Sequence, residues 1–431
     1  MHSVNPARSA EHFGGDMTAQ GSNAAQRRRF LKWLSASPLL ALPGAAQLFA
    51  DEHAKRPDPM IWAPTTDLNL ITSPKDAINV FDFEPVMRQK VPPAHFGYMA
   101  SGIDDEVTLR ANRTAFLHYE MRPRRLRDVS RVDTSVTLFG SRWNTPIIIA
   151  PTGGNKAYDP EGEIAVARAA RARGHLNILS NSGASTIEDV TAARQGEVWF
   201  QLYATSSLEV AQQVVRRVEK AGCPVLEITV DRLGGRNQET FQRLRRIDTR
   251  TCSMCHTDGL RSSRGRPNYD GIDLSKAASM QSANMTWDFI QKMRDTTKMK
   301  LILKGIVTTE DAQLCLKYGV DGIHVSNHGG RSEDNGKGAI DCLPEVARVA
   351  QGKVPILFDS GIRRGTDIFK ALALGATAVC VGRPYLWGLG AFGQPGVERV
   401  LELLREEFTG VMQQMGAANL AAITPEMVRR A

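Results

Sequence analysis

Eight short apolar runs alternating with helical stretches over residues 146–384 predict an α/β fold, a closed (β/α)8 barrel of the TIM type. Three observations carry this expectation. Each run has the length and the aliphatic, β-branched character of a parallel strand buried on both faces. Between the runs lie segments with helical periodicity, several ending in the glycine that suits a left-handed helix cap. Each run also finishes in polar or charged residues, where a barrel builds its chemistry. A doubly wound open sheet is the competing arrangement; eight repeats with polar ends favour closure.

In chain order the runs are "PIIIAPTG" (146–153), "LNILSNSG" (176–183), "VWFQLYA" (198–204), "VLEITVD" (225–231), "LILKGI" (301–306), "GIHVSNHG" (322–329), "PILFDSG" (355–361) and "AVCVGRP" (378–384). The helical stretches include "PEGEIAVARAARARG", "SLEVAQQVVRRVEKAG", "TTEDAQLCLKYG" and "GTDIFKALALG". Residues 75–145 form an N-terminal helical lead-in. Residues 232–297 are a long connection after the fourth strand, expected to lie over the mouth as a lid. The barrel domain is bounded at 75–425, with 51–74 as a linker.

The first 50 residues are set apart. "QRRRFLK" (26–32) is followed by a short apolar stretch broken by Pro38 and Pro43, then by small residues at Gly44, Ala45, Ala46 and Ala50. This resembles a twin-arginine export signal, with Arg27 and Arg28 as the pair and a glutamine where serine or threonine is usual. It is too short for a membrane span. The expectation is a periplasmic protein exported after folding, a route suited to a tightly held cofactor.

The 431 residues carry a net charge of +8, of which +3 belongs to the first 50. The remaining excess is interspersed with acids, so it reads as solvated surface plus an anion site and excludes a nucleic-acid-binding stripe. Six cysteines are too few for a disulfide scaffold; Cys223, Cys315, Cys342 and Cys380 stand singly and read as small buried residues.

The strand ends define a candidate site. "DSGIRRG" and "VGRP" end the seventh and eighth runs, the usual phosphate position in barrels, and supply small residues together with Arg363 and Arg383. "SNHGGR" ends the sixth. His328 can take a proton from a hydroxyl, and Arg331 can hold a carboxylate with two parallel hydrogen bonds. The pair suits a carboxylate next to a carbon bearing OH and H. Lys304, ending the fifth run in apolar surroundings, needs an anionic partner, which a reduced flavin would supply.

Together, "SNHGGR", "LKGI", "FQLY", "TVD", "DSGIRRGTDIFKALALGA" and "GRP" resemble the FMN-dependent α-hydroxy-acid oxidase and dehydrogenase family, which includes glycolate oxidase, lactate oxidase, mandelate dehydrogenase and the flavin domain of flavocytochrome b2. The resemblance runs from about Phe81 to Thr424. It implies FMN across the barrel mouth. Pro151, Thr152, Gly153, Ser180, Gln201 and Thr229 would contact the ring and ribityl chain. Lys304 would stabilise the reduced ring, with Ser326 beside it, and Asp359, Ser360, Gly361, Arg363, Gly382 and Arg383 would hold the ribityl and phosphate end. Arg331 and Arg236 would bind the substrate carboxylate, with Tyr98 and Tyr203 on substrate oxygens. His328 would remove the hydroxyl proton as the α-hydrogen passes to the flavin, and Asp231 would stabilise its protonated form. No metal is assigned. The implied partners are a small L-2-hydroxy acid such as L-lactate, an electron acceptor (quinone, cytochrome or oxygen) and further copies of the chain in a tetramer.

Three departures qualify the match. "RLGGR" follows "TVD" directly, which shortens the approach to Arg236. Ser182 stands where short-chain oxidases place a tryptophan, so the pocket is expected to be roomier. Gly153 stands where alanine is frequent and leans toward dehydrogenase over oxidase. A flavin- or phosphate-dependent barrel isomerase would share the phosphate site without needing His328, Arg331 and Tyr98, and a flavin protein without turnover is a further alternative. One motif stays apart: "TCSMCH" (251–256) has the Cys-x-x-Cys-His spacing of a c-type haem attachment site. A Cys252–Cys255 disulfide, or a metal clip that includes His256, fits an insertion this short better than a haem does.

Overall fold

The computed structural model describes residues 70–232, 234–250 and 266–431. The export-type segment, most of the linker and "TCSMCH" lie outside the described residues. The lead-in contributes helices α1 (Phe83–Lys90), α2 (Pro93–Ala100) and α3 (Val107–Thr114), then strand β1 (Tyr119–Met121) and the hairpin β2 (Val136–Leu138) and β3 (Ser141–Trp143). The barrel strands follow as β4 (Ile147–Ile149), β5 (Ile178–Ser180), β6 (Trp199–Leu202), β7 (Val225–Thr229), β8 (Lys300–Lys304), β9 (Gly322–Val325), β10 (Ile356–Phe358) and β11 (Ala378–Val381). All eight pair in parallel in chain order, and β11 returns to β4. The ring closes between β4 and β5 through a bridge at Ile149 and Asn177.

The helices that alternate with these strands are α4 (Glu163–Arg173), α5 (Ile187–Arg194), α6 (Leu208–Lys220), α8 (Trp287–Arg294), α9 (Thr309–Lys317), α10 (Ala339–Ala350), α11 (Gly365–Ala373) and α12 (Arg383–Met415). α7 (Glu239–Arg246) is the extra helix of the insertion after β7. Residues 287–294, read from the sequence as part of that insertion, are instead the barrel's own helix between β7 and β8. Side chains start several helices where the periodicity places them. Thr186, Ser207 and Thr308 accept from backbone N–H groups in the first turns of α5, α6 and α9. Gly174 ends α4 in the left-handed conformation.

Strand residues divide by parity. Ile147, Ile149, Phe200, Leu226, Ile228, Leu301, Leu303, Ile323 and Val325 face the helices in the main core. Ile148, Ile178, Trp199, Val225, Ile302, Leu357 and Ala378 fill the barrel interior in a second, separate cluster. The β2–β3 hairpin plugs the N-terminal end of that interior, contributing Leu138 and Trp143, with Phe139 packed 5.5 Å from Trp199. Its turn has two left-handed residues, Phe139 and Gly140, as a tight hairpin requires.

The lead-in is fastened to the mouth. Arg113 on α3 meets Asp367 on α11 at 2.7 Å, and its guanidinium also donates to the Gly361 carbonyl. β1 pairs antiparallel with the C-terminal strand β12 (Val428–Arg430). Both side chains of the Arg113–Asp367 pair are buried, so removing one partner strands the other charge. Arg113→Ala should therefore cost about 3–5 kcal/mol. A urea titration checks this: the midpoint should fall while the slope stays unchanged.

Candidate active site

A cleft opens at the C-terminal ends of the barrel strands. Of the residues expected at the site, Tyr98, Pro151, Thr152, Gly153, Tyr203, Lys304 and His328 line it, as do Arg331, Asp359, Ser360, Gly361, Gly382 and Arg383. Asp231, Ser180, Gln201, Thr229, Ser326 and Arg363 lie one layer behind.

Three consecutive left-handed residues, His328, Gly329 and Gly330, turn the chain back over the mouth after β9. Gly330 is needed there, because a Cβ at that position would come within 2.6 Å of the Leu109 backbone. Hydrogen bonds fix the turn: the His328 N–H donates to Ser326 Oγ (3.0 Å) and the Gly329 N–H to Ser360 Oγ (2.9 Å). His328 Nδ1 lies 2.9 Å from Asp231 Oδ1, and Nε2 lies 3.0 Å from the Tyr203 hydroxyl. An ionised Asp231 can only accept, so it fixes the proton on Nδ1 and leaves the Nε2 lone pair toward the cleft. Burial pushes His328 down to about 4, against the opposing pull of Asp231. Burial alone would raise Asp231, but His328 and Lys304 outweigh it and hold it below its usual range. The free site therefore holds a neutral imidazole backed by a carboxylate, which is the arrangement of a general base.

Guanidinium groups surround this base. Arg331 donates to the carbonyls of Tyr98 (2.6 Å) and Ser101 (2.8 Å), with its charge 5.0 Å from the Tyr98 ring centroid. Arg232, which sequence reasoning passed over, lines the cleft and sits 4.9 Å from the Tyr203 ring centroid. Arg236 stands behind it and donates to the Arg331 carbonyl at 3.1 Å. The motif "RLGGR" offers two arginines four positions apart, and the loop path brings Arg232 into the wall. Burial works to raise Tyr98, but Arg232, Arg331 and Arg236 together hold it below the usual phenol value. That is the signature of a pocket built for an anion. Ser182, expected from the sequence to widen the pocket, lines the cleft as well, and Met99, Tyr158, Ile362 and Leu386, which were not anticipated, join it.

On the floor, Lys304 Nζ donates to Asp359 Oδ2 at 2.8 Å and to Ser326 Oγ. Behind the wall runs a row of hydrogen bonds, from Ser180 to Gln201 (2.7 Å) and from Gln201 to Thr229 (2.8 Å). Beyond β10 and β11, Arg363 is buried against the Trp387 ring, and its Nε has no hydrogen-bond partner in the protein. Burial, with Arg113 and Arg383 nearby, depresses Arg363 far below its ordinary value; burial and Arg331 bring Arg383 down to about 10. Gathering such cations without solvent is unfavourable unless an anion joins them. Gly361 carries φ +108° in the same turn, where a Cβ would strike the Asn112 carbonyl. Gly382 precedes the first turn of α12. An unpartnered guanidinium Nε, small residues and a helix N-terminus fit a phosphate. The small-residue rail Pro151–Gly153 and the Lys304 floor fit the flat ring of a flavin.

Comparison with known proteins agrees with this geometry. A family model described as FMN-dependent dehydrogenase matches residues 87–430. Glycolate oxidase 1 of Oryza sativa subsp. indica is 39% identical over 348 residues, covering 80% of this chain and 94% of that protein. A peroxisomal (S)-2-hydroxyacid oxidase of Arabidopsis thaliana is 38% identical over 354 residues, covering 82% of this chain and 96% of its own length. Among solved structures, a soluble mutant of the membrane-associated (S)-mandelate dehydrogenase from Pseudomonas putida superposes with a TM-score of 0.75 at 34% identity, covering 82% of this chain and 99% of that one. A mandelate oxidase structure gives 0.73 at 34% identity, covering 82% and 98%. The anion-ready cleft, the flavin rail and these matches lead to one conclusion: the chain belongs to the FMN-dependent α-hydroxy-acid oxidase and dehydrogenase family, an oxidoreductase whose cofactor is FMN.

Proposed function

We propose that the chain oxidises an L-2-hydroxy acid to the 2-oxo acid, and that it works as a dehydrogenase. The observation that carries the first part is the His328 Nε2 lone pair, held by Asp231 and directed into a cleft rimmed by Arg331 and Arg232. A substrate carboxylate pairs with the guanidinium groups. Its neighbouring hydroxyl then lies within reach of His328 Nε2 and the Tyr203 hydroxyl. His328 takes the hydroxyl proton, and Asp231 stabilises the imidazolium that results. FMN, held over Lys304 and by Arg363 and Arg383, would supply the acceptor for the two electrons and the α-hydrogen, which balances the oxidation. Tyr203 and Tyr98 hold the substrate oxygens.

The L configuration follows the (S)-specific names of the relatives. Ser182 at the cleft wall leaves space for a side chain larger than that of glycolate. Gly153 supports the dehydrogenase assignment: it packs so closely on Ser182 that a Cβ would lie 2.8 Å from Ser182 Cβ. Both residues line the cleft, and with FMN bound there they would help control oxygen access. Periplasmic placement rests on the twin-arginine-like "QRRRFLK" alone, and a quinone or cytochrome acceptor would suit that compartment. N-terminal sequencing of mature protein from a periplasmic fraction tests the placement; protein that keeps its first residues in the cytoplasm excludes it.

Anaerobic mixing with L-lactate or L-mandelate should bleach the visible band of oxidised FMN, while the D isomers should not. If no acid of a broad 2-hydroxy panel bleaches it, the activity assignment fails. Turnover should be faster with an artificial quinone than with oxygen, and equal rates would remove the dehydrogenase part. His328→Ala should keep FMN bound and lose flavin reduction by about 10²–10⁴-fold, as expected for a general base. Stopped-flow absorbance on the purified variant reads both quantities at once.

The pH profile tests the same base. His328 is active when neutral, so kcat/KM should stay high at neutral pH and fall only as pH drops toward its value of about 4. Burial, with Asp231 adding to it, pushes Glu333 up to about 7. A small inflection near neutrality therefore belongs to Glu333, and Glu333→Gln should remove it. Asp231→Asn should lower kcat with little change in KM, because it removes stabilisation of the imidazolium formed only during reaction.

A further inference from the structure

The barrel interior holds a charged pair that the reaction scheme does not use. Glu227 on β7 and His324 on β9 face each other across the lumen, with Glu227 Oε2 2.8 Å from His324 Nδ1 and both side chains 0% exposed. β8 separates their strands in the sheet, so the contact has to cross the interior. On its other side, His324 Nε2 lies 3.3 Å from Asp359 Oδ2, the same oxygen that Lys304 contacts at 2.8 Å. Asp359 and Lys304 line the cleft floor. An unbroken row of charge thus runs from the sealed interior to the flavin site: Glu227, His324, Asp359, Lys304.

Such a pair is costly to maintain. The neighbouring interior positions are apolar, and replacing a buried ion pair with well-packed apolar residues is often neutral or stabilising. The groups facing His324 are Glu227 on β7, Lys304 on β8, Asp359 after β10 and Cys380 on β11. Burial and Lys304 oppose a charge on His324, while Glu227, Cys380 and Asp359 favour it. The balance keeps His324 protonated well above its ordinary range, with Glu227 the largest favourable contributor.

The consequence lies in how Asp359 divides its charge. If Lys304 were its only cationic partner, that pair would be electrically closed and would present little net field to the flavin. With an imidazolium on the same carboxylate oxygen, part of the negative charge is taken up from below and Lys304 keeps an excess positive field toward the mouth. We propose that Glu227 and His324 are positioning residues for the cofactor, acting through Asp359 to leave Lys304 electropositive and so to favour reduced FMN over oxidised FMN. The inference rests on FMN lying over Lys304 and concerns the redox balance of that site, not the identity of the substrate.

The test is the two-electron midpoint potential of the purified holoenzyme, read by equilibration with a reference dye, together with the dissociation constant for oxidised FMN. His324→Gln removes the imidazolium and should cost at least a tenfold preference for the reduced cofactor, about 30 mV at two electrons. Glu227→Gln should produce a similar drop, because His324 then loses the contact that keeps it charged. The double variant should fall no further than either single one, the non-additive pattern of residues acting as a unit. A purely structural role would weaken both redox states alike, leaving the potential in place while FMN affinity falls. Should a single variant fail to fold, Glu227→Met/His324→Leu leaves no lone buried charge and carries the same expected drop. Potentials that match the wild type in flavin-bound variants overturn the proposal alone. Wild-type protein that takes up no FMN overturns the cofactor assignment and this proposal with it.

Discussion

A lysine and an aspartate meet 2.8 Å apart at the boundary between the filled interior of the barrel and its open mouth. Neither charge is tolerable there without the other, and each recruits further groups. Asp359 accepts from Ser360, whose hydroxyl also receives the Gly329 N–H and so helps hold the turn that carries His328. Lys304 reaches Ser326, which receives the His328 N–H. The base is thus set by the same ion pair that forms the cofactor floor. One electrostatic requirement fixes both the cofactor face and the substrate face of the site.

The parity of the strands makes this possible. Along β7 the inward positions run Val225, Glu227, Thr229, and along β8 they run Ile302, Lys304. Apolar filling at the hairpin-plugged end gives way, within two or three residues, to charge and hydroxyl at the mouth. The outward positions stay apolar throughout, because they pack against helices on every side. Stability therefore resides mainly in the outer layer and the bottom of the lumen. The upper lumen is free to carry polar groups whose burial would be unfavourable elsewhere.

Much of this is legible in the sequence because a parallel barrel strand is buried on both faces. Each of the eight strands appears as a largely apolar run, in three of them broken by one polar residue (Gln201, Glu227, His324), and the polar residues that follow mark the mouth. His328, Arg331, Lys304 and Arg363 stand out for that reason. What escapes is whatever only closure creates. Glu227 and His324 are visible as single polar residues inside apolar runs, yet nothing local says that two strands separated by a third bring them together. Arg232 and Arg236 share one short motif, and the path of the loop decides which enters the wall. Residues 287–294 carry an ordinary amphipathic pattern, but a long irregular stretch precedes them, so they merge with the insertion when read linearly. The β2–β3 plug and the Arg113–Asp367 clasp likewise join segments far apart in the chain, where periodicity carries no signal.

The pairing of β1 with β12, and the packing of α1 on α12, join the beginning of the catalytic unit to its end. α2 and α3 supply Tyr98 to the cleft and Arg113 to the phosphate turn, and they lie in the part of the chain that this late pairing fastens. The mouth is therefore built in part from a lead-in that the far end of the chain helps to hold. The contacts that complete it join segments far apart in the chain, a topology that favours slow folding. The flavin pocket is thus assembled from segments far apart in the chain, Tyr98 of the lead-in and Arg383 of the last helix among them.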